Sequence, residues 1–242
     1  MTCWVVIPVK APGACKTRLA GVLGDAARRD LVATMLAHVA GVAGKAAGVD
    51  EVLLLGPSHH GLSVTMRRLD DPGRGLNAAL ASAVRAAAGE GVDRLVFVSA
   101  DLPLLAPVDI EALIDRPAGV AAIAPDRVGI GTNALSLPGS CASGFALRYG
   151  AGSFAAHVAE AVRLALDLVV VRSPGLALDI DLPADLAMLR SSAYRHSTSS
   201  CSCVGRSPGL SNAVAPHLGS CLRRSTRECA VSDHMLLNAD TP

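Results

Sequence analysis

Apolar residues along the first 190 positions fall into two alternating patterns. Residues 3–9, 51–55, 94–99, 120–124, 133–137 and 168–172 are short, mostly aliphatic runs, as expected of strands buried on both faces. Between them lie Ala-rich stretches with the helical period, at 25–39, 76–88, 108–114 and 153–166. Leu31, Met35 and Val39 illustrate that period on one face of the first stretch, and Pro183 opens a last helix-like segment. This alternation predicts an α/β fold with three layers, a mainly parallel sheet carrying helices on both faces. The pattern stops near Ser191. Residues 193–242 show no sustained period and are expected to form a disordered or atypical C-terminal extension, leaving 1–192 as the folded domain.

Within that frame the acidic residues form the most informative pattern. Asp179 and Asp181 flank Ile180, and side chains two apart in an extended segment point the same way. Two convergent carboxylates make a poor core and a good site for a hard cation such as Mg²⁺. Asp101 follows the apolar run 94–99, where a strand end meets the ligand crevice of an α/β sheet. Each aspartate also has a plain structural reading. Asp181 before Leu182 and Pro183 suits a helix cap, and Asp101 before Pro103 suits a turn. The set of three argues for metal.

The first strand ends in a basic loop, Lys10-Ala11-Pro12-Gly13-Ala14-Cys15-Lys16-Thr17-Arg18. Lys10, Lys16 and Arg18 suit a triphosphate at the edge where such sheets bind anions, although the loop lacks the glycines of a P-loop. Asn77, after Gly73-Arg74-Gly75, offers a donor and an acceptor for a base or ribose, or else caps its helix. Gly129-Ile130-Gly131 precedes a strand rather than a helix, so it reads as a tight turn bringing Thr132 towards the crevice, not as a dinucleotide fingerprint. Gly150-Ala151-Gly152-Ser153 starts a helix whose free amides and Ser153 hydroxyl suit a phosphate or carboxylate, or a simple N-cap. His157, one turn on, reads as a surface or packing residue. No Gly-x-Ser-x-Gly elbow is present, so the chemistry suggested is metal-assisted phosphoryl transfer.

Composition narrows the partners. A net charge of +1 and 2% aromatic residues give no basis for nucleic-acid or anionic-membrane binding. The chain enters its first strand without a signal-peptide pattern, so a cytoplasmic location is the expectation. Seven cysteines are expected to stay reduced there. Cys201 and Cys203 are too close in sequence, and Cys221 and Cys229 too far apart, for the spacings of a zinc site. Oligomeric state is not legible.

Taken in order, Ile7-Pro8-Val9-Lys10 with Lys16-Thr17-Arg18-Leu19, Gly75-Leu76-Asn77-Ala78-Ala79-Leu80, Ser99-Ala100-Asp101-Leu102-Pro103, Ala124-Pro125-Asp126-Arg127 with Gly131-Thr132-Asn133-Ala134-Leu135, Gly152-Ser153-Phe154 with His157, and Asp179-Ile180-Asp181 with Pro183-Ala184-Asp185-Leu186 resemble the CofC/FbiD guanylyltransferases of coenzyme F420 biosynthesis. The resemblance spans about residues 3–190. It implies a nucleotidyltransferase (GT-A, MobA-like) fold over 1–192. It also implies transfer of GMP from GTP to a phosphorylated three-carbon acid, with release of pyrophosphate. Asp101, Asp179 and Asp181 would hold Mg²⁺; Thr132, Gly150 and Ser153 would contact the acid. The GTP phosphates would lie on the first loop, with Lys16, Arg18 and Asp101 at the reacting centre. Ala151 departs from the proline common in the family, a change that leaves the backbone role intact. Phosphoenolpyruvate is the favoured acid, with 2-phospho-L-lactate and 3-phosphoglycerate also used by similar proteins. The competing readings are a molybdenum-cofactor-type guanylyltransferase and a nucleotide-binding regulator without catalysis.

Overall fold

Seven strands pair into one sheet in the computed structural model, which describes residues 1–11 and 15–190. The strands are β1 (Cys3–Pro8), β2 (Glu51–Leu55), β3 (Arg68–Leu69), β4 (Arg94–Val98), β5 (Ala121–Pro125), β6 (Thr132–Pro138) and β7 (Leu168–Val170). Their order is β3-β2-β1-β4-β6-β5-β7. All neighbouring pairs are parallel except those made by β6, which runs antiparallel to both β4 and β5. The sheet therefore reverses direction of growth at β1, which lies between β2 and β4. That is the switch point, where the carboxyl ends of two diverging strands leave a crevice.

Burial of both sheet faces explains the continuous apolar runs. Cys3, Val5, Ile7 and Val96 face one layer, built from α1 (Asp25–Ala43), α3 (Pro107–Ile114) and the short α6 (Pro174–Ala177). Trp4, Val6, Leu95 and Phe97 face the other, built from α2 (Leu76–Gly89), α4 (Gly139–Ala142) and α5 (Ser153–Arg163). The three-layer expectation holds, and predicted element limits differ from the observed ones by only a few residues. β3, α4 and α6 have no signature in the sequence pattern, because two to four residues cannot display a period. Cys3, Cys15 and Cys141 are free thiols, as expected of the folded part. The expected disorder of 193–242 and the absence of zinc there concern residues outside those described.

A third, smaller apolar cluster matters most for the site. Leu178 and Ile180 are buried against Leu19 and Met35, with Leu186 and Leu189 of the last helix, α7 (Pro183–Arg190), packed alongside. The run 168–172 does not lead straight into the aspartate pair as its sequence suggests, because α6 intervenes. Ser173 caps α6, its hydroxyl accepting from the Leu176 amide at 3.1 Å, and Pro174 takes the first helical position. The chain then runs extended through 178–181, so that Leu178 and Ile180 point inward and Asp179 and Asp181 point away.

Ile180→Ala should thus create a cavity beneath the aspartate pair. We expect a loss of about 2–5 kcal/mol in denaturant unfolding, with the midpoint lowered and the slope unchanged. A loss below about 0.5 kcal/mol, the range of ordinary surface substitutions, would show that the segment is not anchored by this side chain.

Candidate active site

Both strands that border the switch point deliver charged side chains into it. After β1 the chain forms a 3-10 turn, Thr17–Leu19, closed by the Leu19 amide on the Lys16 carbonyl at 3.0 Å and anchored by fully buried Leu19. Lys16 precedes that turn with φ 53° and ψ 37°, a conformation uncommon for a residue carrying a β-carbon. Asp101 lies just beyond β4, and its carbonyl accepts from the Ile180 amide at 3.3 Å. This single bond ties the β4 end to the aspartate pair.

Asp101, Asp179 and Asp181 each present an oxygen, and these oxygens lie within 4.8 Å of one another. Lys16 Nζ sits among them, donating to Asp101 Oδ2 and, at 2.8 Å, to Asp181 Oδ1. The lysine side chain is only 9% exposed, whereas that of Asp181 is 49% exposed, so the cluster opens to solvent on the Asp181 side. Asp179 is held from behind. The Asn133 amide, at the start of β6, donates to Asp179 Oδ1 at 3.2 Å and to the carbonyls of Leu176 at 3.0 Å and Ala177 at 3.3 Å.

The electrostatics follow from this crowding. Burial, and then the charge of Asp101, push the Asp179 carboxyl up to about 6, with the Asn133 amide working against the shift. Burial also opposes ionisation of Asp181, but Lys16 outweighs it, with Arg18 and Lys10 adding to the field, and the carboxyl falls below its usual range. Burial alone would make Lys16 easier to deprotonate; Asp101 and Asp181 reverse this and raise its pKa. One buried ammonium thus faces three carboxylates and leaves the group short of positive charge. An all-oxygen, under-neutralised donor set fits a hard divalent cation such as Mg²⁺.

The capping alternative for Asp181 is settled by Asp185. Its Oδ2 accepts from the amides of Asp181 at 3.0 Å and Leu182 at 2.7 Å, so Asp185 reaches back to cap α7 and leaves the Asp181 carboxylate to Lys16. Arg127 approaches Asp185 at 3.8 Å.

Thr132 and the Gly150–Ser153 segment are joined through the turn that precedes β6 and through His157 of α5. Asp126 organises the Gly129–Gly131 turn, as read from sequence, by accepting from the Ile130 and Gly131 amides, both at 2.8 Å. Thr132 opens β6 next to Asn133. The Phe154 amide donates to the Ile130 carbonyl at 3.0 Å and the Ser153 amide to Gly150 at 3.2 Å, joining the start of α5 to this turn. Ser153 is accordingly the buried first residue of α5 and not its N-cap, a position taken by Gly152 at φ 70°. The helix start also offers fewer free amides than the sequence suggests.

Two further readings change. Asn77 does not cap α2, whose N-cap is Gly75; its amide is engaged by the loop before Gly150. It donates to the Tyr149 carbonyl at 3.0 Å and accepts from the Tyr149 amide at 2.8 Å, so both ends of the amide clamp the chain just before Gly150. His157 is no surface residue: it is completely buried, with Nδ1 3.0 Å from Thr132 Oγ1 and Nε2 2.9 Å from the Arg148 amide. Glu160 accepts from the Ala146 amide at 2.8 Å. Three side chains therefore pin residues 146–149, a device that sequence reasoning missed. The spacing of His157 and Glu160 on one face of a helix was its only signal. Lys10 and Arg18 are exposed at the mouth of the crevice, and residues 12–14 of the basic loop lie outside those described.

Comparison with known proteins identifies the family and the fold. Residues 3–196 match the family described as "Guanylyl transferase CofC like". The chain belongs to that family. A relative named phosphoenolpyruvate guanylyltransferase from Sphaerobacter thermophilus is 41% identical over 78% of this chain and 93% of its own length. One of the same name from Rubrobacter xylanophilus is 38% identical, covering 79% and 95%. A relative named 2-phospho-L-lactate guanylyltransferase from Methanothermobacter thermautotrophicus is 34% identical, covering 76% and 82%. Among solved structures, a CMP:2-keto-3-deoxy-manno-octonic acid synthetase complexed with CTP superposes with a TM-score of 0.54 at 14% identity, covering 81% of this chain and all (100%) of that one. A nucleotidyl transferase from Methanothermobacter gives 0.58 at 16% identity, covering 81% and 99%. These establish the nucleotidyltransferase fold. Among the described residues no helix is long and apolar enough to cross a membrane.

Two stability measurements check the assignments. Asp185→Ala should destabilise the protein by about 1 kcal/mol through loss of its cap. Asp181→Ala in metal-free buffer should cost less, within about 0.5–1 kcal/mol, since a half-exposed ion pair contributes little; a loss larger than that of Asp185→Ala would restore the capping role to Asp181.

The buried pair on α5 sets an acid response. Burial, and then Arg148, lower the His157 pKa from 6.5 to about 4. Hydrogen bonds from Arg163 and the Ala146 amide hold Glu160 down to about 2. Both folded values are depressed, so both contributions are complete above the unfolded values and lost as pH falls through the folded ones. Unfolding free energy should decline first between pH 6.5 and 4 through His157, and further towards pH 2 through Glu160. His157→Gln should flatten the upper part of that decline; an unchanged profile would contradict the assignment.

Proposed function

We propose that the protein transfers GMP from GTP to a small phosphorylated three-carbon acid, phosphoenolpyruvate in preference to 2-phospho-L-lactate, as a step towards coenzyme F420. The observation that carries this reading is the cluster of Asp101, Asp179, Asp181 and Lys16 at the sheet's switch point, in a chain that belongs to the CofC-like family. Relatives named for phosphoenolpyruvate support the choice of acid.

In this reading a phosphate oxygen of the acid attacks the α-phosphorus of GTP. The new P–O bond forms as the bond from the α-phosphorus to the bridging oxygen breaks, and pyrophosphate leaves with that oxygen and its electron pair. The nucleophile is already anionic, so no side chain need remove a proton. Asp101, Asp179 and Asp181 would hold Mg²⁺, which when bound neutralises charge on the triphosphate. Lys16, Arg18 and Lys10 line the approach of the phosphates, and the Lys16 ammonium stays charged because two carboxylates hold its proton. Asn133 keeps Asp179 aimed into the cluster. Thr132, Gly150 and Ser153 would supply hydroxyl and backbone groups for the acid. GTP and phosphorylated acids are cytoplasmic metabolites, and the cytoplasm is the location that follows.

The test is pyrophosphate release from GTP and Mg²⁺ with each acid offered separately, the product being identified by mass. Asp101→Asn, Asp179→Asn and Asp181→Asn should each lower turnover by about a hundredfold or more, a few kcal/mol of transition-state stabilisation, with only partial recovery in excess Mg²⁺. Near-parental turnover in all three would make the cluster structural. Turnover with a molybdopterin acceptor alone would replace the acid, and GTP binding without pyrophosphate from any acceptor would leave a nucleotide-binding regulator.

A further inference from the structure

The surroundings of His157 determine where the protons lie around Thr132. The Arg148 backbone N–H can only donate, and it points at His157 Nε2 from 2.9 Å, so Nε2 is the acceptor nitrogen. Burial, and then Arg148, keep the ring neutral by lowering its pKa to about 4, against the smaller opposing influence of Glu160. A neutral imidazole that accepts at Nε2 carries its proton on Nδ1. Nδ1 lies 3.0 Å from Thr132 Oγ1, so the ring donates and the threonine oxygen accepts. The hydroxyl proton of Thr132 is then left for a third group. Phe145 and Tyr149 enclose the ring, with Tyr149 meeting it edge-on at 4.8 Å between centroids, which holds the imidazole plane in place.

We infer that His157 is a positioning residue for the acceptor acid: it orients the Thr132 hydroxyl as a hydrogen-bond donor, so that this end of the site selects an anionic oxygen and disfavours a donor. The inference rests on the proposed guanylyl transfer to a phosphorylated acid. It adds a partner that acts through Thr132 without touching substrate. The chain of contacts is short. Arg148 N–H fixes Nε2, Nδ1–H fixes Oγ1, and Oγ1–H is offered to the acid. Its first link lies in the segment that Asn77 and Glu160 also clamp, so the whole loop before Gly150 contributes to the polarity of one hydroxyl.

Two substitutions separate this from simple packing. An asparagine places its amide N–H near the Nδ1 position, whereas a glutamine reaches the Nε2 position and can accept from Arg148 N–H but cannot donate to Thr132. His157→Gln should therefore raise KM for the acid about tenfold or more, the scale of a hydrogen bond to a charged group, with KM for GTP unchanged. His157→Asn should stay within about threefold of the parent on the same scale. Thr132→Val should reproduce the His157→Gln effect, and the double variant should be no worse than Thr132→Val alone. Independently of turnover, nitrogen-15 NMR of the imidazole should show the proton on Nδ1 at neutral pH. An Nε2–H tautomer, equal losses in His157→Gln and His157→Asn, or additive effects with Thr132→Val would overturn the inference while leaving guanylyl transfer intact. Absence of pyrophosphate from the unsubstituted protein with every acid would overturn the proposed function, and this inference with it.

Discussion

Three carboxylate oxygens within 4.8 Å of one another repel strongly once they leave bulk water, and the rest of the structure is arranged around that repulsion. Lys16 answers part of it, with its ammonium between Asp101 and Asp181 and its own burial compensated by their charge. What remains uncompensated appears at Asp179, whose carboxyl is pushed up to about 6 by burial and by Asp101. A fold under no functional demand would relieve such a site by turning one side chain outward. Here Asn133 and Lys16 hold the carboxylates in place.

The restraint comes from ordinary packing. Ile180 is fully buried between two aspartates, and an extended chain that points one residue inward must point its neighbours away. Leu178 repeats the anchor one step earlier. Asn133 supplies the polar counterpart, binding the Leu176 and Ala177 carbonyls and Asp179 with one amide. Asp185 takes over the duty of capping the following helix, which leaves Asp181 without that structural task. Apolar burial thus holds the charges in a place that electrostatics alone would disperse.

The neighbouring region is held by directed hydrogen bonds to its backbone. Glu160, His157 and Asn77 each bind backbone groups of 146–149, and the helix start is tied to the Ile130 carbonyl. A cluster of carboxylates at the ends of β1 and β4 and a loop pinned by hydrogen bonds before α5 therefore belong to one frame. This pairing suits a reaction that joins a triphosphate to a small anion by placement rather than by covalent catalysis.

Much of this was legible in the residues themselves. Apolar runs and helical periods identify the alternating elements because buried strands and amphipathic helices leave strong periodic signals. The Asp179-Ile180-Asp181 triplet and Asp101 after an apolar run mark the cluster, because i and i+2 side chains share a face in any extended chain and strand ends open to the crevice. Roles that depend on which atoms meet across long separations were not legible. Asn77 reads as a cap or a ligand contact, and nothing near it in the chain points to Tyr149, 72 positions away, which meets both ends of its amide. Asp181 reads equally as a cap or a metal ligand until Asp185 is seen to cap α7 and Lys16 to hold Asp181, and His157 reads as a surface or packing residue until Thr132 and the Arg148 amide are found on its two nitrogens. Sequence by itself determined the elements and the chemical character of the site, since both rest on local spacing and residue type. The tertiary structure alone decided the partner of each polar group, because a side chain's hydrogen bonds depend on directions in space that one-dimensional order does not carry.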